Sequence, residues 1–474
     1  MKKILFLFLG LLFLFAKNQF VFSQNEETLE SLESNEYESI SVDEERITKN
    51  GLIAGAETIL SNFIVMSFNI FVARESWAAP TGNSIYNNST LPWEWDNDGF
   101  KVNQLGHPYQ GSIYFNFGRV NGFNFYESVF FSALGSFTWE KFFENNRKSI
   151  NDFITTTTGS MALGEMFYRL YLEADAAGAP APVSFFVNPA AGFHRIVTSW
   201  KPPTVGKGNI YEFNTYLGMG WAQTNSALLD SGTSDESFSF RGLIANMGFS
   251  TIYGNPFKQE TFIPFKHFEF ATSFGIDAGN YISIRLISDG YLFSFFPVYT
   301  DTSMMSTGLS LHYDYVSLGE LGKYDSSIDQ CSNAIDWTIK YQRLFGKNTV
   351  FQKKRHLGVT YLGVAKSYSK TEWTEKKYGY GFNSKSITSL ENKKLGKLEI
   401  SIFNYLLCGF YNDSSSLGNI HWLFIDGSYY YNLSKNLALG IADSFARERG
   451  YYKSSFYDTK KKNNEVKFFA VWKS

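Results

Sequence analysis

Cysteine, histidine and proline are scarce in this chain. Its 474 residues hold two cysteines, six histidines and 11 prolines. Cys331 and Cys408 lie far apart and match no zinc or redox spacing, which leaves either one disulfide in an oxidising compartment or two isolated core cysteines. No charge of one sign dominates: the net charge is −2, so nothing in bulk attracts nucleic acid or an anionic surface. Past the first residues there is no apolar run long enough for a spanning helix. Nucleophile elbow, His-Glu-x-x-His and phosphate loop are all missing, so no cofactor is expected.

What is present in excess is aromatic. Phe, Trp and Tyr make up 18% of the residues, with 47 Phe and 29 Tyr, while mean hydropathy is slightly negative. Only one face of each strand of a transmembrane β-barrel is apolar, and that architecture yields this combination. The start reads as a secretory signal over residues 1–23: Lys2 and Lys3, an apolar core from Ile4 to Ala16, and a cut before Gln24 with no cysteine following. Residues 24–48 form an acidic, serine-rich leader that cannot bury enough surface to offset its ordering entropy, and disorder is expected there.

The remainder divides into a helical block over 49–200 and a barrel over 201–474, an α+β arrangement. Leu52 to Arg74 has helical spacing, with Glu57, Asn62 and Asn69 arguing against a membrane span. His107-Pro108 opens a second helix that stops at Asn121-Gly122. Phe125 to Glu144 is apolar on nearly every side, so it is buried or faces lipid, and it is expected to be the central helix. Ser149 opens a further helix with Asp152 in capping-box position, ending near Ala174. Gly111, Gly118, Gly159 and Gly164 mark close approaches between these helices. From Asn209 onward the period is two. Along Ile420 to Leu433, the residues Leu423, Ile425 and Tyr429 face one way and Phe424, Asp426 and Ser428 the other; Leu439 joins the outward set. Eleven such runs are visible, and a barrel with both ends on one side needs an even number, so about 12 antiparallel strands of the outer-membrane type are expected. Glu320–Gln330, Ser369–Lys394 and Arg449–Asn464 read as loops. A circular ring of that size is about 24 Å across. It would admit one helix at most, which places the helical block as a layer at the periplasmic mouth.

Charged residues on the apolar helices are the candidate site: His107, Arg119, Glu127, Glu140, Asp152, Glu165 and Arg169. A buried carboxylate without a partner costs several kcal/mol, so each must be paired, wet or protonated. Glu165 and Arg169, four apart, can pair locally. Arg119 could serve Glu140 or Asp152. One reading is a hydrogen-bonded network that fixes packing, with His107 as a helix cap. The other is catalytic: His107 as general base, oriented by a helix carboxylate. With no second histidine or cysteine nearby, no metal set is expected. Trp93 to Asp98 reads as a packed loop anchor.

The stretches WEWDND, NQLGHPYQGSIYFN, FSALGS, INDFI and ALGE, followed by PAAGFHRI, resemble the bacterial domain-of-unknown-function family 3943 over about residues 77–196. The resemblance implies an exported envelope protein with a helical block and a β-rich tail, and no assigned activity. Together these readings lead to an outer-membrane β-barrel with a periplasmic helical domain in a structural or transport role. The alternative is an envelope enzyme acting on lipid or cell-wall substrate. Expected partners are outer-membrane lipid and an envelope lipid or small solute, with no nucleic acid.

Overall fold

The computed structural model describes residues 48–96, 98–203, 209–230, 233–257, 261–278, 282–318, 328–368, 375–411, 418–452 and 456–473. The expected signal and nearly all of the acidic leader lie outside the described residues. The chain forms two compact units that meet between Asn209 and Ile210.

The first unit is helical: α1 (Gly51–Phe68), α2 (Gly82–Thr90), α3 (His107–Val120), α4 (Phe125–Phe142), α5 (Ile150–Ala176), α6 (Ala181–Val187) and α7 (Pro189–Thr198). Asn50 caps α1 and an Asn124–Glu127 capping box starts α4. Glu127 is thereby used locally, with Lys49 2.7 Å away at the surface. A π-helical turn over Val102–Gly106 runs directly into α3, so His107 lies inside continuous helix and caps nothing. The centre of the unit is α5, not α4. Polar Asn151, Asp152, Thr155, Ser160, Glu165 and Arg169 of α5 are all buried. In α4, Ser128, Ser132, Gly135 and Ser136 face inward while Tyr126, Phe130, Phe137 and Phe142 are exposed. The reason is steric. Helices approach closely through small residues: a Cβ on Gly111 would stand 2.1 Å from Thr156 O, and one on Gly164 2.6 Å from the Phe115 ring.

The same inversion governs α1. Its buried face is Ala54, Glu57, Thr58 and Asn62, and its exposed face includes Leu52, Phe63, Ile64 and Phe68. Glu57 accepts from Asn121 Nδ2 at 2.8 Å and pairs with His194 Nδ1 at 2.7 Å. Asn62 Nδ2 donates to Gly135 O at 3.0 Å, and its carbonyl accepts from the Tyr114 hydroxyl. With its π-helical extension to Ala73, α1 is 23 residues long and, among the described residues, is the one helix long and apolar enough to cross a membrane.

The second unit is a closed antiparallel barrel of twelve strands in sequential order, with β1 paired to β12. The strands are β1 (Ile210–Asp230), β2 (Thr233–Tyr253), β3 (Phe268–Asp277), β4 (Ile282–Tyr299), β5 (Ser303–Leu318), β6 (Ile328–Phe345), β7 (Thr349–Ser367), β8 (Glu375–Asn392), β9 (Gly396–Phe410), β10 (Asn419–Asn432), β11 (Leu437–Tyr451) and β12 (Asp458–Lys473). Alternation holds over only part of the strands where it was expected: residues 310–317 of β5 and 328–334 of β6 are buried throughout. In β6, Ile335, Trp337 and Ile339 are exposed and Asp336, Thr338 and Lys340 are buried. Two expected loops are in fact strand. Ser369–Lys394 holds β8, and much of Arg449–Asn464 belongs to β11 and β12. The section is also not a circular ring: Cα atoms of β6 come within 8 Å of those of β11 and β12, strands five and six places away around the barrel. Val316 of β5, Ile328 of β6, Leu407 of β9 and Ile420, Trp422 and Phe424 of β10 form one buried apolar cluster.

Candidate functional site

Among the described residues, besides the Glu57–His194 pair that docks α1, buried ionisable groups gather in two further places in the helical unit and in the interior of the barrel. The first is an ion triad. Glu165 on α5 receives Arg119 Nε of α3 at 2.8 Å and Arg169 Nε at 3.0 Å, one helical turn on. Arg119 also donates to Phe123 O at 2.9 Å, and its guanidinium lies over the Tyr168 ring. The local Glu165–Arg169 pair is the one expected from spacing. Arg119 serves Glu165, not Glu140 or Asp152. Two cations clamp one carboxylate here, and the group ties α3 to α5.

The second place is the end of α5 near Ser149. Ser149 Oγ accepts from Asp152 N at 3.2 Å, and Ser149 N donates to Glu140 Oε2 at 2.7 Å, so one residue ties α4 to the start of α5. His107 enters from α3: its Nε2 is 3.5 Å from Asp152 Oδ2, and its Nδ1 is 3.2 Å from Thr156 Oγ1. The Trp93–Asp98 loop does anchor here. Ile150 N donates to Glu94 O at 2.8 Å, and Trp93 packs its ring on Phe137 and Phe153. It also brings chemistry. Asn151 Nδ2 donates to Asp96 Oδ1 at 2.6 Å and to Asp152 Oδ1 at 2.9 Å. Ligand-type atoms of Asp98, His107 and Asp152 lie within 4.8 Å of one another. Burial, then the charges of Asp96, Asp98 and Glu144, push the Asp152 carboxyl well above the usual range. Burial does the same to Glu140 and lifts Glu144 to about 8. Burial also holds the His107 imidazole down at about 4, hence neutral, although Asp96 opposes it. Of the residues singled out in the sequence, His107, Glu140 and Asp152 lie together here; Asp96, Asp98 and Glu144 were not among them, and the Asp-x-Asp spacing in WEWDND was the available signal for the two aspartates.

The third place was not anticipated. Lys340 of β6 is buried inside the barrel and reaches His267 Nε2 at 2.8 Å, Glu269 Oε1 at 2.9 Å and Asp289 Oδ1 at 2.9 Å. Lys385 reaches His312 Nδ1 at 2.9 Å and pairs with Asp314, which accepts from the Tyr405 hydroxyl at 2.9 Å. His356 Nδ1 meets Thr338 Oγ1 at 2.8 Å, edge-on to the His312 ring. Arg285 of β4 donates twice to Asp426 of β10, at 2.8 and 2.6 Å. Those strands are six places apart in a twelve-strand ring, so this bidentate pair joins opposite walls. Beside it a polar recess is lined by Asn246, Ser273, Glu465 and Lys467.

The helical cluster coincides with a known sequence family. Residues 92–191 match the domain of unknown function DUF3943. The DUF3943 segment thus spans α3, α4 and α5 and contains every candidate residue of the helical unit. No curated protein matches the chain. The barrel is similar to solved outer-membrane barrels. An outer membrane channel from Pseudomonas putida F1 is 8% identical with TM-score 0.28, over 56% of this chain and 96% of that one. The outer membrane protease OmpT of Escherichia coli is 6% identical with TM-score 0.25, over 56% and 97%. The Pseudomonas putida toluene transporter TodX is 9% identical with TM-score 0.22, over 56% and 90%.

Proposed function

We propose that this chain is an outer-membrane β-barrel protein whose closed barrel is a structural anchor for a periplasmic helical unit. The exposed aromatic and aliphatic outer face, including Trp221, Trp337, Phe382 and Phe468, suits lipid. Both ends of the barrel chain lie on one side, with the connections 254–267, 300–302, 346–348, 393–395 and 433–436, and an even-stranded bacterial barrel turns that side to the periplasm. The observation that carries the anchor reading is the Arg285–Asp426 pair between opposite walls, together with the approach of β6 to β11 and β12. Reconstituted into planar lipid bilayers, the protein should give no steady conductance. Steady ohmic current from the unaltered protein would instead make it a transport pore.

His107 against Asp152 supports a second reading, an envelope enzyme acting on lipid or cell-wall substrate. Turnover of purified envelope lipid or cell-wall fragments, lost in His107→Ala, would favour it over the anchor.

A further inference from the structure

We propose that the helical unit lies on the periplasmic leaflet of the membrane, with the outward faces of α1 and α4 in contact with phospholipid. On the anchor reading, which this contact depends on, β1 starts at the periplasmic side of the barrel, and the chain passes from the helical unit to β1 between Asn209 and Ile210. The unit is therefore tethered to a strand that enters the bilayer.

Both helices present to the outside what a soluble helix hides. In the apolar window of Gly51–Ala73, 17% of the residues are buried, whereas the core helix of a soluble domain is mostly buried. Every exposed residue from Gly51 to Ala73 is apolar, and Leu52 and Phe71 are 89% and 76% exposed. The exposed residues of α4 are Tyr126, Phe130, Phe137 and Phe142, all aromatic. The two helices run side by side and parallel: Lys49 pairs with Glu127 at their starts, Asn62 Nδ2 reaches Gly135 O at 3.0 Å, and the Phe63 ring meets that of Phe143 at 4.7 Å. Scattered apolar residues on a surface are ordinary, but a joined set this size marks a contact.

The polar groups around that surface decide what covers it. Between Lys49 and Arg74 the one charged residue is Glu57, which is buried and paired with His194. The outward face of α1 thus carries no charge along its length and a cation beyond each end. Near the end of α4, the Lys141 ammonium lies 5.7 and 5.4 Å from the ring centroids of Phe137 and Phe142. Cations at the border of an apolar surface lay their stems on it and put their heads among lipid headgroups. A protein partner, or a second copy of this chain, would call for about one hydrogen bond per 100–200 Å² of interface. The exposed residues of the two helices offer one hydroxyl, that of Tyr126. Lipid acyl chains ask for none.

Elsewhere the unit needs water. Helix α2 exposes Asn83, Asn87 and Ser89, and Glu94 pairs with Arg147 at 2.8 Å with both side chains 41% exposed. Hydrocarbon would strand these groups. The unit therefore lies on the leaflet, its apolar face about 5–10 Å into the boundary between headgroups and acyl chains.

The test uses the full chain in vesicles of phosphatidylethanolamine and phosphatidylglycerol. Both cysteines are free, Cys331 buried and Cys408 exposed, so Cys408→Ser clears the background for a thiol-reactive fluorophore. The probe is placed at Ile64→Cys on α1, Phe130→Cys on α4, Asn87→Cys on α2 and Leu439→Cys on the outward face of β11. Phospholipid brominated near the headgroup end of its acyl chains should quench emission at Ile64→Cys and Phe130→Cys as strongly as at Leu439→Cys. Iodide on both sides of the vesicle should quench Asn87→Cys and spare the other three. Iodide quenching at Ile64→Cys and Phe130→Cys, with lipid quenching kept at Leu439→Cys, would overturn the lipid contact and leave the anchor standing. Shielding of those two sites from both quenchers would overturn it in favour of a protein partner, or of a second copy where dilution with lipid restores quenching by iodide. Loss of lipid quenching at Leu439→Cys would overturn the anchor reading and the lipid contact with it.

Discussion

Glu165 sits between two guanidinium groups with its side chain wholly buried. Removing one partner of a buried ion group costs more than the group contributes, because the remaining charges stay desolvated. Glu165→Ala strands Arg119 and Arg169 together and should lower unfolding stability by about 3–5 kcal/mol. Urea unfolding in detergent followed by tryptophan fluorescence would measure it, and a loss under about 1 kcal/mol would show the triad to be wet. At this scale the sequence was legible only where partners are local. Glu165 and Arg169 share a helix face, so spacing alone pairs them. The partner of Arg119 is 46 residues away and could not be read. The barrel histidines were invisible for the same reason. His267, His312 and His356 stand alone on β3's leading edge, β5 and β7, and only closure of the barrel makes them neighbours.

Strands announce themselves by alternation, and the ones that failed to do so explain the errors. The outward face of β8 reads Tyr380, Phe382, Ser384, Ser386, Thr388 and Leu390, half of it small hydroxyl residues, and its inward face carries Asn383, Lys385 and Ser389. Low contrast between faces makes such a segment look like a polar loop, although its ladder to β7 and β9 is continuous over most of its length. Helix α4 fails in the opposite sense. Phenylalanines all round suggested a buried core helix, whereas the serine and glycine stripe is what lets α3 and α5 come close. The register of β10 and β11 was legible, since Leu423 and Ile425 alternate with buried Trp422 and Phe424, and Tyr429 and Leu439 are exposed. Leu439→Arg should therefore cost about 2–4 kcal/mol in urea titrations of vesicle-embedded protein, and the inward Ser428→Arg clearly less. Equal costs at the two positions would reject the register.

Counting strands gave the barrel but not its section. Ring geometry assumes that interior side chains hold the walls apart equally everywhere. Here β6 approaches β11 and β12, and Arg285 and Asp426 span between opposite strands, so the wall has collapsed onto its own contents. No hydropathy pattern encodes this, because inward alternation looks the same in a round barrel and a flattened one. The helical unit has its own version of the difficulty: on α1, polar Glu57, Thr58 and Asn62 lie inside and Leu52, Phe63 and Ile64 outside, which a water-based reading inverts.

That inversion bears on how such a chain travels before it folds. A segment like Gly51–Ala73, 23 residues and apolar, is a candidate to slip sideways into the first bilayer it meets and stay there. Glu57 and Asn62 stand in its middle portion, and an ionised side chain at the centre of a bilayer-crossing helix costs roughly 2.5–3.5 kcal/mol during insertion. The carboxylate and amide that later dock on Asn121, His194, Gly135 and Tyr114 thus weaken the segment's retention while those partners are still unsynthesised. The groups that hold α1 in place at the end of the journey are the ones that keep it moving at the beginning.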